Sequence, residues 1–357
     1  MKINMKLVGV SALALVLCGC GGGSGSEQYA APKVAEGAIM ALEFNQQQFD
    51  KIQAAALGEK GDSLTKTAWE EAPKELVDVI KAAGLENAKA RWGVVSMGEI
   101  ALKEDMELKA APEAAIAIAV DIDIEKVVAA IREQQKKEKD DDVALVDATV
   151  AGVKAWKVVD KEGEFAKAKA EPCFTALDGK LFLAASTLAA LEKQVALYRD
   201  GKGASSAFAG FSLADGDLLR LKVLDIGAIV KKSVPNPEEA LKMLSAFVPN
   251  GDKIVLGLGT LDFSATTTAD NGTALKLTLG TASEKDADQL RTLAKTGLMG
   301  LTAQLQEAAK EDADAKMQLA LVEGLKIAGA DGKFEANLVI SGAVLKERAA
   351  KTAKDLK

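Results

Sequence analysis

Any chemistry in this chain has to be done without imidazole. There is no histidine among its 357 residues, which removes Ser-His-Asp and Cys-His catalysis together with His-ligated zinc, haem and non-haem iron. The thiols are Cys18, Cys20 and Cys173. Cys173, in Glu171-Pro172-Cys173-Phe174-Thr175, has no histidine to activate it and reads as a buried structural thiol entering a strand. Carboxylates gather at Asp121-Ile122-Asp123-Ile124-Glu125. Alternation would put Asp121 and Asp123 on one side, where they could hold a hard cation such as Ca²⁺. Neither a turn glycine nor further oxygen ligands follow, so Asp123 is expected to cap the helix that starts there. No metal and no cofactor is expected.

Serine and lysine remain as a histidine-free pair. Ser63-Leu64-Thr65-Lys66 reads S-x-x-K, and Lys295-Thr296-Gly297 reads K-T-G. Together they resemble two elements of the penicillin-recognising serine enzymes. The third element, S-D-N, is not found between them. K-T-G in those enzymes lies on a strand, whereas Lys295 to Gly297 falls inside a helical stripe. A hydrolase acting through Ser63 is therefore the most remote alternative, and the chain is expected not to be an enzyme.

The elements that would position any site begin at the N-terminus. Lys2 and Lys6 precede the apolar run Leu7 to Leu17, which is shorter than the ~20 residues that span a bilayer. Leu17-Cys18-Gly19-Cys20 follows, with a branched aliphatic at −3 and glycine at −1 of Cys20. These twenty residues resemble the signal of bacterial lipoproteins. The resemblance implies cleavage after residue 19 and diacylglycerol on the Cys20 sulfur. It implies acylation of the new amino group as well, and several acyl chains anchor stably where one would be marginal. Gly21 at the second position resembles the pattern sorted to the outer membrane. Gly21 to Ser26 is glycine and serine throughout, a flexible tether that lets a folded body stand off the membrane.

Composition agrees. The formal net charge is −7, and it falls further once Lys2 and Lys6 leave with the signal. An acidic body argues against nucleic acid and against direct docking on anionic headgroups. Aromatics are only 4% of the chain, and Trp69, Trp92 and Trp156 are dispersed, so no aromatic cage is expected. Gly257-Leu258-Gly259 lacks the third glycine of a dinucleotide site. Asn271-Gly272-Thr273 signifies only a turn.

Two stretches of the body run in parallel order. Strand Ile39–Asn45, helix 47–56, an acidic helix from Glu70 to Ala83, then strands Arg91–Leu102 and Ala114–Asp123 form the first series. Strand Leu218–Asp225, helix 226–232, helix Pro237–Val248 and strands Lys253–Thr268 and Ala274–Thr281 form the second. A helix follows each, at Ile124 to Lys137 and Ser283 to Lys310. The second carries Leu290, Ala294, Leu298, Leu301 and Leu305 on one stripe. Extended segments close both: 143–150, 153–159 and 173–185 in the first, and 317–322, 325–328 and 333–340 in the second. Asp178-Gly179-Lys180 and Asp331-Gly332-Lys333 mark the last hairpins, and helices 187–199 and 343–354 finish the units. Asn236, Pro237 and Glu239 have the spacing of a capping box.

The expected fold is α+β, with two tandem similar units, each a largely antiparallel sheet with packed helices. Signal peptide 1–19, lipidated tether 20–34, first unit 35–206 and second unit 207–357 complete the layout, with a small-residue break at 201–206. In Ala115-Ile116-Ala117-Ile118-Ala119-Val120 one face is small and the other large. The small face suits a closely packed helix, and the large face a core. Such an aliphatic face could also line an acyl-chain cavity, the less favoured reading. The expectation is thus a lipid-anchored protein of the bacterial cell envelope, on the outer membrane by its sorting pattern. Its role is non-enzymatic binding or structure, with an envelope protein as partner. Carriage of a hydrophobic ligand is the alternative.

Overall fold

The computed structural model describes residues 29–57, 74–85, 88, 90–103, 109–138, 143–160, 170–214, 216–248 and 250–355. The chain divides into two compact units between Ser212 and Leu213, with the stretch from Lys51 to Gly61 counted in the second.

The first unit carries β1 (Met40–Asn45), the start of α1 (Gln46–Leu57), whose residues from Lys51 on are counted in the second unit, α2 (Lys74–Ala82), β2 (Trp92–Met97), β3 (Ala114–Ala119), α3 (Ile124–Glu138), β4 (Val143–Val150), β5 (Val153–Asp160), β6 (Cys173–Leu177), β7 (Leu181–Ala185) and α4 (Leu188–Arg199). Its strands lie in the order β1-β2-β3-β7-β6-β5-β4, and each adjoining pair is antiparallel. The chain leaves β3 through α3 and comes back as a meander that lands β7 beside β3.

Alternation in β3 divides the core. Ala115 and Ala117 pack with Leu183, Leu191 and Val195 beneath α4. Ile118 and Val120 point the other way, joining Ile80, Val127, Trp156, Phe174 and Phe182 beneath α2 and α3. Alanine lets the helix backbone approach, while the branched and aromatic side chains fill the wider layer. Trp156, Phe174 and Phe182 are all under 2% exposed and lie ring to ring at 5.9 and 6.0 Å. Each such burial is worth about 1.5–3 kcal/mol. The large aliphatic face of this sheet is therefore occupied by the unit's own helices.

The second unit carries β8 (Asp217–Val223), α5 (Ile226–Ser233), α6 (Pro237–Phe247), α7 (Gly251–Leu256), β9 (Leu258–Thr267), β10 (Thr273–Thr281), α8 (Glu284–Ala308), α9 (Ala313–Gly324), β11 (Lys326–Ala328), β12 (Lys333–Ile340) and α10 (Gly342–Asp355). Its order is β8-β9-β10-β12-β11, again antiparallel at every adjoining pair. Both units thus belong to the α+β class. The two orders run alike through five strands and part where β4 and β5 stand in one unit and α9 in the other. Among the described residues, Leu218, Ile254 and Phe334 are the buried large apolar side chains of this unit. Arg291 of α8, 9% exposed, donates to the Lys333 carbonyl at 2.7 Å and to Asp288 at 2.6 Å, and also to Glu284. Glu284 in turn accepts the Gly332 N–H, tying the hairpin turn to the start of α8.

Local chemistry decided several boundaries, the Asp-Gly turns as expected. Asp178 and Gly179 take φ of 52° and 66°, and Asp331 and Gly332 take 54° and 71°, the left-handed pair that Asp-Gly suits at the centre of a hairpin turn. Thr187 caps α4 through the Ala190 N–H, and Ser283 caps α8 through the Asp286 N–H.

Three expectations differ from the structure. Ile254 and Leu256, read as the start of a strand, lie in α7, and β9 begins at Leu258. A short apolar run suits either period, and Ser245 bonded to Asp252 at 2.6 Å favours the helical one by holding its first turn. Met317–Val322, read as extended, lies within α9. Asp312 caps that helix, accepting the Asp314 N–H at 2.8 Å, and lysine, methionine, glutamine, leucine and alanine follow, all strong helix formers. Asn236 has φ 46° and uses its carbonyl to accept from Glu239 and Ala240, unlike the extended N-cap of a capping box.

Candidate functional site

The described chain begins as a strap laid on the first unit, and both tyrosines of the protein hold it. Tyr29 donates its hydroxyl to Asp121 at 2.8 Å. The Arg91 guanidinium lies 4.4 Å from its ring centroid and the Lys180 ammonium 5.9 Å, distances at which a cation is attracted to the ring face. Burial, then the bond to Asp121, pushes the Tyr29 phenol above its ordinary value. These partners come from three strand ends. Arg91 precedes β2, Asp121 follows β3, and Lys180 precedes β7. The backbone joins them, since Arg91 N–H bonds Ala119 O at 2.9 Å and Val120 N–H bonds Lys180 O at 3.0 Å.

Four residues on, the second tyrosine takes over. Lys33 N–H donates to the Tyr198 hydroxyl at 3.0 Å, and that hydroxyl donates to the Lys33 carbonyl at 3.1 Å. Tyr198, on α4, stacks on Trp92 with centroids 6.2 Å apart. Burial pushes its phenol far up. Val34 O then accepts from Ser205 at 2.9 Å, Glu36 N–H donates to Gly203 O at 2.7 Å, and Ala35 bridges Ala204. Residues 29–34, which the sequence reading places in the tether, therefore lie against the body. The small-residue stretch 201–206 is the strap's pairing partner.

The strap edges a groove of about 400 Å³ lined by Glu36, Gly37, Lys193, Ala196, Lys202 and Gly203. A water-sized notch of about 20 Å³ adjoins it, reaching Ser96 and Gln194. Gln194 is 3% exposed. Lys193 pairs with Glu113 at 2.5 Å. Ala196, Gly37 and Gly203 complete the groove's walls, whose surface is more apolar than polar despite the charged side chains at its edge.

The residues singled out by sequence are scattered. Cys20, Ser63, Lys66 and Trp69 lie outside the described residues. Lys295, Thr296 and Gly297 sit within α8. Asp123 accepts the Lys126 N–H at 3.2 Å and pairs with its ammonium at 3.3 Å, while Asp121 is bound to Tyr29, so the two carboxylates serve separate tasks. Cys173 is buried and its thiol is pushed up to about 12 by burial. Among the described residues no group of three or more His, Cys, Asp or Glu could hold a metal ion, and no helix is long and apolar enough to cross a membrane. Most of the exposed large apolar side chains belong to the second unit, with Met243 at 75%, Met299 at 74% and Val339 at 64%. Sequence reasoning missed Tyr29, Tyr198 and Gln194. A tyrosine three residues past a Gly/Ser run was the available signal for the first.

No known protein family and no curated protein matches the chain. Among solved structures it is similar to "Structure of crystal form I of TP0453", at 9% identity and a TM-score of 0.37, over 92% of this chain and 99% of that one. A likeness at that score carries no argument about function.

Proposed function

We propose that this protein is a lipid-anchored component of the bacterial envelope whose body binds or supports a partner and performs no chemistry. The observation that carries the reading is the strap. The folded body takes hold of the chain at Tyr29, nine residues after Cys20, and holds it through two tyrosines. A mount of that kind suits a body that must be kept in place relative to an anchor. Outer-membrane residence and an envelope protein as partner belong to the same proposal.

Fractionation tests it. The wild-type chain is expected in the membrane fraction, and Cys20→Ala in the soluble periplasmic fraction. Unchanged membrane fractionation of Cys20→Ala overturns the anchor.

The exposed Met243, Met299 and Val339 favour a second reading, carriage of hydrophobic cargo on the second unit. A fluorescent fatty acid should then bind Cys20→Ala saturably at micromolar protein. Absence of saturable binding removes this reading and leaves the first untouched.

A further inference from the structure

The notch beside the strap is faced by a buried amide with nothing to bond. Gln194 sits on the inward face of α4 with Ala190, Leu191 and Val195. It is 3% exposed, and among the described residues its side chain makes no hydrogen bond. A buried donor and acceptor left unmet carry their full desolvation cost, so the position calls for an occupant.

The notch is built around that amide. Ala35, Ala38, Gly98, Ala115 and Ala190 keep its walls small. A Cβ on Gly98 would stand 3.3 Å from the Glu113 carbonyl oxygen and 3.4 Å from that of Gly37, so the backbone closes in on that side. Ser96 alternates with Trp92 and Val94 on the α4 face of β2. It is 6% exposed, its backbone is paired with Ala41 and Ala115, and its hydroxyl has no partner among the described residues. Gly37, φ 86°, is the third residue of the Ala35–Ala38 turn, and its N–H is likewise unmet among the described residues. The volume of about 20 Å³ exceeds the roughly 10–15 Å³ that one water needs. The notch shares Glu36, Gly37 and Lys193 with the groove of about 400 Å³, a size in the range of ligand sites.

We propose that the groove binds a short stretch of a partner's polypeptide and that the notch receives an asparagine or glutamine carboxamide from it, against Gln194. This rests on the reading of the body as one that binds an envelope protein. Gln194 offers a carbonyl oxygen and an NH2 group side by side. A second carboxamide presents the same pair reversed, so the two meet through paired hydrogen bonds, with Ser96 Oγ and the Gly37 N–H beside them. A carboxylate offers acceptors only; it would leave the Gln194 oxygen unmet and lie near Glu36 and Glu113. An ammonium offers donors only and would lie near Lys193. Glu113 and Lys193 already pair at 2.5 Å, so each has its counter-ion.

Beyond the notch the demand changes. The groove's walls are more apolar than polar. Glu36 and Lys202 are exposed at its edge and are in no ion pair among the described residues. Apolar walls with both signs of charge at the edge match a polypeptide of mixed side chains better than an acyl chain. The strap supplies Glu36 and Gly37, so the tyrosines that hold it also hold one wall of the groove.

The test is NMR of the full chain carrying Cys20→Ala, reading the Gln194 side-chain NH2 signal, which Gln194→Met identifies by deleting it. The probes are blocked tripeptides, N-acetyl-Ala-X-Ala-N-methylamide, with glutamine, asparagine, glutamate or methionine at X, at millimolar concentration. At least one carboxamide peptide is expected to shift the signal saturably and to bind about tenfold or more tighter than the glutamate and methionine peptides. Gln194→Met should erase the preference and keep the denaturation midpoint, because it removes an unpaired amide. Ser96→Ala, which leaves the β2 backbone pairing intact, should weaken the preferred peptide about threefold to tenfold, and it keeps the test open if Gln194→Met fails to fold. Equal affinity for all the peptides overturns carboxamide recognition. No saturable shift from any of them overturns the peptide site and leaves the notch to water. Neither result bears on the anchor, which fractionation of Cys20→Ala reads separately.

Discussion

Tyr198→Phe deletes one oxygen and asks how much it holds. That hydroxyl accepts from Lys33 N–H at 3.0 Å and donates to Lys33 O at 3.1 Å, closing both backbone groups of one strap residue. The phenylalanine ring keeps its place over Trp92 and beside Leu191 and Val195, so the core should be little disturbed. Two hydrogen bonds at about 1 kcal/mol net each, with two part-buried backbone groups left unpaired, place the loss at about 1–3 kcal/mol. The loss should fall on local opening of the strap more than on global unfolding. Amide hydrogen exchange reads this directly. Glu36 N–H and Ser205 N–H, bonded across the strap at 2.7 and 2.9 Å, should exchange about 10- to 100-fold faster, since 1.4 kcal/mol is about tenfold. Amides of β3 and β7 should change far less. Unaltered exchange at Glu36 and Ser205 would refute the claim that Tyr198 clamps the strap.

Other substitutions probe the frame. Ala151 holds φ 48° in the two-residue turn between β4 and β5, where asparagine is at home and alanine is strained. Ala151→Asn should therefore stabilise by about 0.5–1 kcal/mol in a denaturant melt. A Cβ on Gly227 would sit 2.3 Å from the Leu256 carbonyl oxygen, so Gly227→Ala should destabilise by about 1–3 kcal/mol, visible as a lower denaturation midpoint. Burial raises the Cys173 thiol from 9.0 to about 12. Above pH 9 the unfolded chain releases that proton while the folded chain keeps it, so the contribution is whole below pH 9 and drains away towards 12. Wild type should lose more stability than Cys173→Ala across that window, and thiol reagents should label Cys173 only after denaturation. Glu284 is held below the usual carboxylate range by the Gly332 N–H and then by Arg291. Its contribution is present above about pH 4.5 and lost as pH falls, so Glu284→Gln should flatten the acid limb of the melting curve.

Much of the fold was legible because its signals are local. Strand alternation at Ala115 to Val120 named which face would take the helix and which the core. Asp-Gly named the hairpins, since left-handed φ selects those residues wherever they occur. Asp123 announced a helix start through a hydrogen bond spanning three residues. Ile254–Leu256 and Met317–Val322 were misread because short, mostly apolar runs fit either period, and residues such as Ser245 and Asp312 broke the tie. The strap was not legible at all. Tyr29 meets Asp121 across 92 residues and Lys33 meets Tyr198 across 165, and no periodicity encodes contacts so distant.

The absence of histidine, the acidic charge and the α+β class are properties of composition and short-range pattern, and the sequence alone determines them. Tertiary structure decided something else. It put Arg91, Asp121 and Lys180 from three separate strand ends around one ring, and so seated Tyr29 on the first unit. The physical reason is that hydrogen bonds and cation–ring attraction act over a few ångströms, and only the paired strands bring residues so far apart in the chain within that reach.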